Sequence, residues 1–150
     1  MEDINKIADE ARNSLSKYCI EECKAYCCRK GYIIITPDEV DLLIGNKKEK
    51  LISKWTLKEL IDGKFSFNFS NSFGGCTQLK DGKCLIHKNE KRPKVCKEFP
   101  IFITGKTIRL SPRCYGIKAG LLYPFIKKFK ELGYEIGGIN WSIILKKLLN

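Results

Sequence analysis

The chain is poor in histidine and methionine, with one of each in 150 residues. It also lacks paired carboxylates at a recognisable spacing, a glycine-rich nucleotide loop and any serine–histidine arrangement. Hydrolytic catalysis therefore has no visible machinery, and no residue is singled out as catalytic. No apolar run reaches the roughly 18 residues that a bilayer span needs, so no membrane segment is expected. Met1 to Ser16 is charged throughout and has no apolar stretch, which argues against a secretory signal. Together these absences point to the cytoplasm. Repeats and low-complexity linkers are missing too, and the length suits one domain over residues 1–150.

What the chain does have is cysteine, eight in all. Cytoplasmic thiols stay reduced outside hyperthermophiles, so cysteine clusters there are more often metal or redox sites than disulfides. Cys19-x3-Cys23-x3-Cys27-Cys28 places four soft ligands within ten residues, flanked by Glu21, Glu22, Lys24 and Arg29. Cys76, Cys84, Cys96 and Cys114 are spread over later loops and hairpin ends. Thiolate sulfur suits zinc, copper(I) and iron–sulfur clusters, and four is the ligand number of structural zinc and of cubane clusters. All eight cysteines are candidate metal ligands, in one or two centres. His87, near Cys84, is a candidate fourth ligand of a Cys3His site, though a lone histidine is more often structural. Arg92 and Arg113 lie beside cysteines, where they can balance thiolate charge or act as ordinary surface arginines.

Hydrophobic residues make up 43% of the chain, enough for a modest core. Ile4, Ile7, Ala8, Ala11, Leu15 and Tyr18 recur at helical spacing and predict a helix over 2–18. Tyr32 to Ile35 reads as a strand. Thr36-Pro37-Asp38-Glu39 has the pattern of a helix start, with Thr36 as N-cap and Glu39 closing a capping box. Val40, Leu43 and Ile44 form that helix's buried side, and Gly45 its end. Phe65, Phe67 and Phe69 alternate like a half-buried strand, and Asn71 to Gly75 reads as a loop. Asp81-Gly82 is a hairpin turn between Cys76 and Cys84. A second hairpin spans Ile101 to Leu110 around Gly105-Lys106. Arg92-Pro93 suggests a turn before a short helix carrying Cys96. Helices are predicted over Ala119 to Leu132, with Pro124 in the first turn, and over Trp141 to Leu149. The fold class is α+β, a small domain with short hairpins, cysteine-bearing loops and flanking helices, stapled by metal.

The cysteine cluster followed by Arg29 and Ile33-Ile34-Ile35-Thr36-Pro37-Asp38-Glu39 resembles the CxxCxxCC, or YkgJ-like, proteins. The resemblance continues through Cys76-Thr77-Gln78-Leu79-Lys80-Asp81-Gly82-Lys83-Cys84, then Arg92-Pro93-Lys94-Val95-Cys96-Lys97-Glu98-Phe99-Pro100, and closes at Cys114-Tyr115-Gly116-Ile117. It covers residues 19–120, leaving the flanking helices over 2–18 and 119–149 outside it. The gap from Cys23 to Cys27 is one residue longer than is usual in the family, and His87 stands where tyrosine is usual. The resemblance implies chelation of zinc or iron. A related cysteine domain in flagellin lysine methylases is associated with an iron–sulfur cluster, which implies iron–sulfur, of the 4Fe–4S kind, ahead of zinc.

The formal charge is +11, and eight thiolates with two divalent ions would bring it to about +7. Acids interrupt the lysines, and the clearest aromatic series, Phe65, Phe67 and Phe69, alternates like a core face. Nucleic-acid affinity is therefore expected to be weak, non-specific and lost as salt rises. Three readings follow: an iron–sulfur protein serving redox or a partner enzyme, a zinc-stabilised binding module, and a metal-handling protein. A protein partner is expected in the first, and its identity is not written in these residues.

Overall fold

The computed structural model describes residues 3–71 and 75–137. Along the chain come α1 (Ile4–Ser14), α2 (Ser16–Glu21), α3 (Tyr26–Arg29), β1 (Tyr32–Ile35), α4 (Pro37–Leu43), α5 (Lys48–Ser53), β2 (Leu57–Glu59) and β3 (Phe65–Asn68). There follow β4 (Leu79–Lys80), β5 (Lys83–Cys84), α6 (Lys94–Glu98), β6 (Ile101–Thr104), β7 (Thr107–Leu110), α7 (Tyr115–Lys118), α8 (Tyr123–Glu131) and β8 (Glu135–Gly137). The fold is α+β, as the residue patterns predict, with the strands in three small sheets among the described residues. No helix among those residues is long and apolar enough to cross a membrane. Contacts divide the chain into two units, Ala25–Lys97 and the pair of segments Met1–Lys24 and Glu98–Asn150.

In the Ala25–Lys97 unit, β3 is the centre of an antiparallel sheet in the order β1-β3-β2, with Ile35 opposite Phe65 and Leu57 opposite Phe67. The alternation in β3 has the predicted consequence: Phe65 and Phe67 are buried while Ser66 and Asn68 are half-exposed. Phe69 extends the buried series into a 3-10 turn, and its N–H donates to Gly31 O at 2.7 Å. The capping box forms as read. Thr36 Oγ1 accepts from the Glu39 N–H, and Glu39 Oε1 accepts from the Thr36 N–H at 2.9 Å. Val40, Leu43 and Ile44 then pack with Leu51, Leu57 and the three phenylalanines. Asp81 and Gly82 both have positive φ, the backbone of a type I′ turn, and close the two-residue hairpin of β4 and β5. α5 and β2 were not anticipated, since their short apolar content has no sustained period.

In the other unit, α1 buries Ile7, Ala8 and Ala11, and with Leu15 these pack against Ile101, Ile108, Leu110, Ile117, Leu122, Ile126 and Phe129. The helix predicted over 2–18 is divided at Leu15. Ser14 Oγ donates back to Ala11 O at 2.6 Å and Leu15 N–H reaches only to Arg12 O, a tightened turn that ends α1. Arg12 anchors α1 by donating to the carbonyls of Glu98 (2.8 Å) and Ile101 (2.6 Å). β6 and β7 form the hairpin expected around Gly105-Lys106. α8 begins with Pro124 in its first turn, where the missing N–H has no helical partner to lose. β8 then pairs with β7 in parallel, Thr107 opposite Glu135, which no local signal announced. The helix predicted over Trp141 to Leu149 lies outside the described residues.

Candidate metal centre

Five of the eight cysteines belong to the Ala25–Lys97 unit: Cys27, Cys28, Cys76, Cys84 and Cys96. Each is half-buried. Cys27 and Cys28 ride on α3, which follows two residues of positive φ, Lys24 and Ala25. Cys76 is brought to Cys28 by the backbone itself, its N–H donating to Cys28 O at 2.7 Å. The preceding residue is Gly75, at φ +88°, where a Cβ would stand 2.5 Å from Cys28 O and 2.6 Å from Arg29 Cα. Only glycine lets these two cysteine-bearing segments approach so closely.

Cys84 is placed by the hairpin, opposite Leu79, and Leu85 N–H closes the ladder onto Gln78 O at 2.8 Å. The segment between Cys76 and the hairpin is fastened to the end of α4. Thr77 Oγ1 and Gln78 Nε2 both donate to Leu43 O, at 2.6 and 2.8 Å. Cys96 sits in α6, which starts after Pro93 as the Arg92-Pro93 turn suggested.

Glu39 connects this last piece. One carboxylate oxygen closes the capping box, and the other accepts the Lys94 N–H at 2.9 Å, at the first residue of α6. Sequence reading found only the local half of this role, because Lys94 is 55 residues away. Glu39→Ala removes a cap and orphans two N–H groups, so a loss of about 2 kcal/mol is expected. Calorimetry and elemental analysis of the variant should show melting temperature and bound metal falling together. Retention of both would show that Glu39 does not position Cys96.

The five thiols share one electrostatic environment. Cys28 is pushed far up from the usual thiol range, first by its hydrogen bond with the Cys27 side chain, then by burial and by the charges of Cys27, Cys76 and Cys96. Cys96 is pushed up to about 12 by burial and by Cys76 and Cys84, with the Arg92 guanidinium pulling the other way. Burial raises Cys76 as well, against hydrogen bonds from the Gln78 backbone and Thr77. Cys76 and Cys84 are thus near enough to resist the ionisation of Cys96, and Cys76 and Cys96 that of Cys28. A cation among them reverses that sign, because it stabilises thiolates at the expense of thiols.

The donor set fits a thiophilic metal or an iron–sulfur cluster: sulfur only, half-buried, from four chain segments. Among the described residues, no three Cys, His, Asp or Glu side chains already stand as ligands around one ion. His87 is drawn elsewhere. Its Nδ1 lies 3.0 Å from Arg92 Nη1, and since a guanidinium only donates, Nδ1 is the acceptor. Burial, Arg92 and Lys88 all lower its pKa, so the ring is neutral with its proton on Nε2.

Cys19, Cys23 and Cys114 belong to the other unit. Cys19 lies on α2, and Cys114 N-caps α7 and packs on the hydrophobic core. Cys28 is near residues 48 and 68 positions later, Cys76 and Cys96, as well as its neighbour Cys27.

No match was found among curated proteins or among solved structures. The sequence profile of one family does match, over residues 18–115, and its description reads "Putative zinc- or iron-chelating domain". That span contains all eight cysteines, and the chain belongs to the CxxCxxCC family.

Proposed function

We propose that the Ala25–Lys97 unit holds an iron–sulfur cluster through Cys28, Cys76, Cys84 and Cys96, and that the chain serves electron transfer or a partner enzyme. The observation that carries this reading is the shared field of four thiols delivered by α3, the Gly75 approach, the β4–β5 hairpin and α6. Cys27 accepts the hydrogen bond of the Cys28 thiol, which places a fifth sulfur beside this set. Cys19, Cys23 and Cys114 are candidate ligands of a second centre in their own unit. A bound cluster supplies one-electron chemistry, while the chain's part is to hold its thiolates and exclude water. The resemblance to the cysteine domain of flagellin lysine methylases favours iron–sulfur over zinc on the same donors. Thiolate ligation also requires a reducing compartment, in keeping with the cytoplasm.

Protein purified without oxygen is expected to be brown and to carry iron with acid-labile sulfide. Colourless protein with stoichiometric zinc and no sulfide, from cells supplied with iron, would replace this reading by a zinc-stabilised module.

A further inference from the structure

The end of α5 departs from the usual chemistry of its motif. Trp55 N–H donates to Ile52 O and Thr56 N–H to Leu51 O, the two bonds of a Schellman turn. The residue between helix and strand in such a turn takes a left-handed backbone, and glycine ordinarily supplies it. Here it is Trp55, at φ +61°. The indole does not recover the strain by burial, because the residue is 75% exposed. Lys47, Lys50 and Lys54 precede it at spacings of three and four, so they follow one side of the helix, and all three are exposed. Lys58, exposed on β2, lies three residues beyond it. Lys48, by contrast, is engaged over the Phe65 ring at 5.0 Å.

We infer that Trp55 with Lys47, Lys50 and Lys54 is a contact site for single-stranded nucleic acid, the indole stacking on an unpaired base while the lysines meet phosphates. An exposed aromatic face beside a basic row is the arrangement that such strands use. Phe65, Phe67 and Phe69 are buried and cannot serve, so the platform lies where periodicity gave no sign of it. The exposed residues flanking this turn include Lys50, Lys54 and Lys58, with Glu49 and Glu59 among them and Ile52 as the nearest exposed apolar side chain, so the surround is charged with a net positive balance. The site is independent of the metal reading.

Fluorescence anisotropy of a labelled oligouridine strand tests this on the metal-loaded full chain. Wild type is expected to bind at low salt and to prefer the single strand over a duplex of the same length. Trp55→Gly should weaken binding about tenfold, the loss of one stacked base. Its melting temperature should be unchanged or higher, because glycine suits the turn. Lys50→Gln combined with Lys54→Gln should lower the slope of log affinity against log salt by about 1.4, from two lost phosphate contacts. Equal binding by Trp55→Gly and wild type, or equal binding of duplex and single strand, would overturn the inference. So would binding to phosphatidylserine vesicles without binding to oligouridine, which would make the patch a membrane contact.

Discussion

Cys84→Ser and Cys96→Ser are expected to lose metal and melting temperature together. The hydrophobic core of the Ala25–Lys97 unit draws its buried members from Ile35 to Phe69. Among the described residues beyond Gly75, the partly buried Cys76 and Ile86 pack against it. The segment carrying Cys84 and Cys96 is thus held by a two-residue hairpin, the Leu43 carbonyl and the Glu39 carboxylate. Where ligands come from such weakly cored segments, binding energy becomes folding energy. A loss of about 3 kcal/mol per ligand follows, roughly 15 °C in melting temperature for a unit of this size. Hydrogen exchange should locate the loosening after Cys76 rather than in the phenylalanine core. Metal-depleted protein that melts where loaded protein does would show that the apolar core suffices alone.

Gly75→Ala should be nearly as damaging, although it touches no sulfur. The added Cβ would meet two backbone atoms, Cys28 O and Arg29 Cα, neither of which can swing aside. At φ +88° it is also strained whatever the space. Strain and clash together are expected to cost about 3 kcal/mol. Relief requires the strand of chain bearing Cys76 to withdraw from Cys28, so bound metal should fall as well. Gly82→Ala is the control. It has positive φ at the hairpin turn but nothing within 4 Å of the added carbon, so it should cost only about 1 kcal/mol and keep its metal. If both variants behave alike in thermal melting and metal analysis, the close approach at Gly75 has no part in the site.

The elements legible in the sequence share a property: their causes lie within a few residues. The Thr36–Glu39 capping box, the Asp81-Gly82 turn, the alternation of Phe65, Phe67 and Phe69, and Pro124 at a helix start are each written in neighbouring positions and appear as read. Family membership was legible for the same reason, since it rests on ordered local motifs. Other features depended on residues distant in the chain. The second bond of Glu39 reaches Lys94, β8 pairs in parallel with β7, and Cys28 feels Cys76 and Cys96. Trp55 in a glycine position has a local cause, yet its exposure depends on what packs above the turn. Residue order alone determined the α+β class, the family and the caps and turns at the Thr36–Glu39 box, the Asp81-Gly82 hairpin and Pro124. Tertiary structure alone brought the Cys76 segment against Cys28, because that depends on a backbone approach at Gly75 which no spacing along the chain encodes.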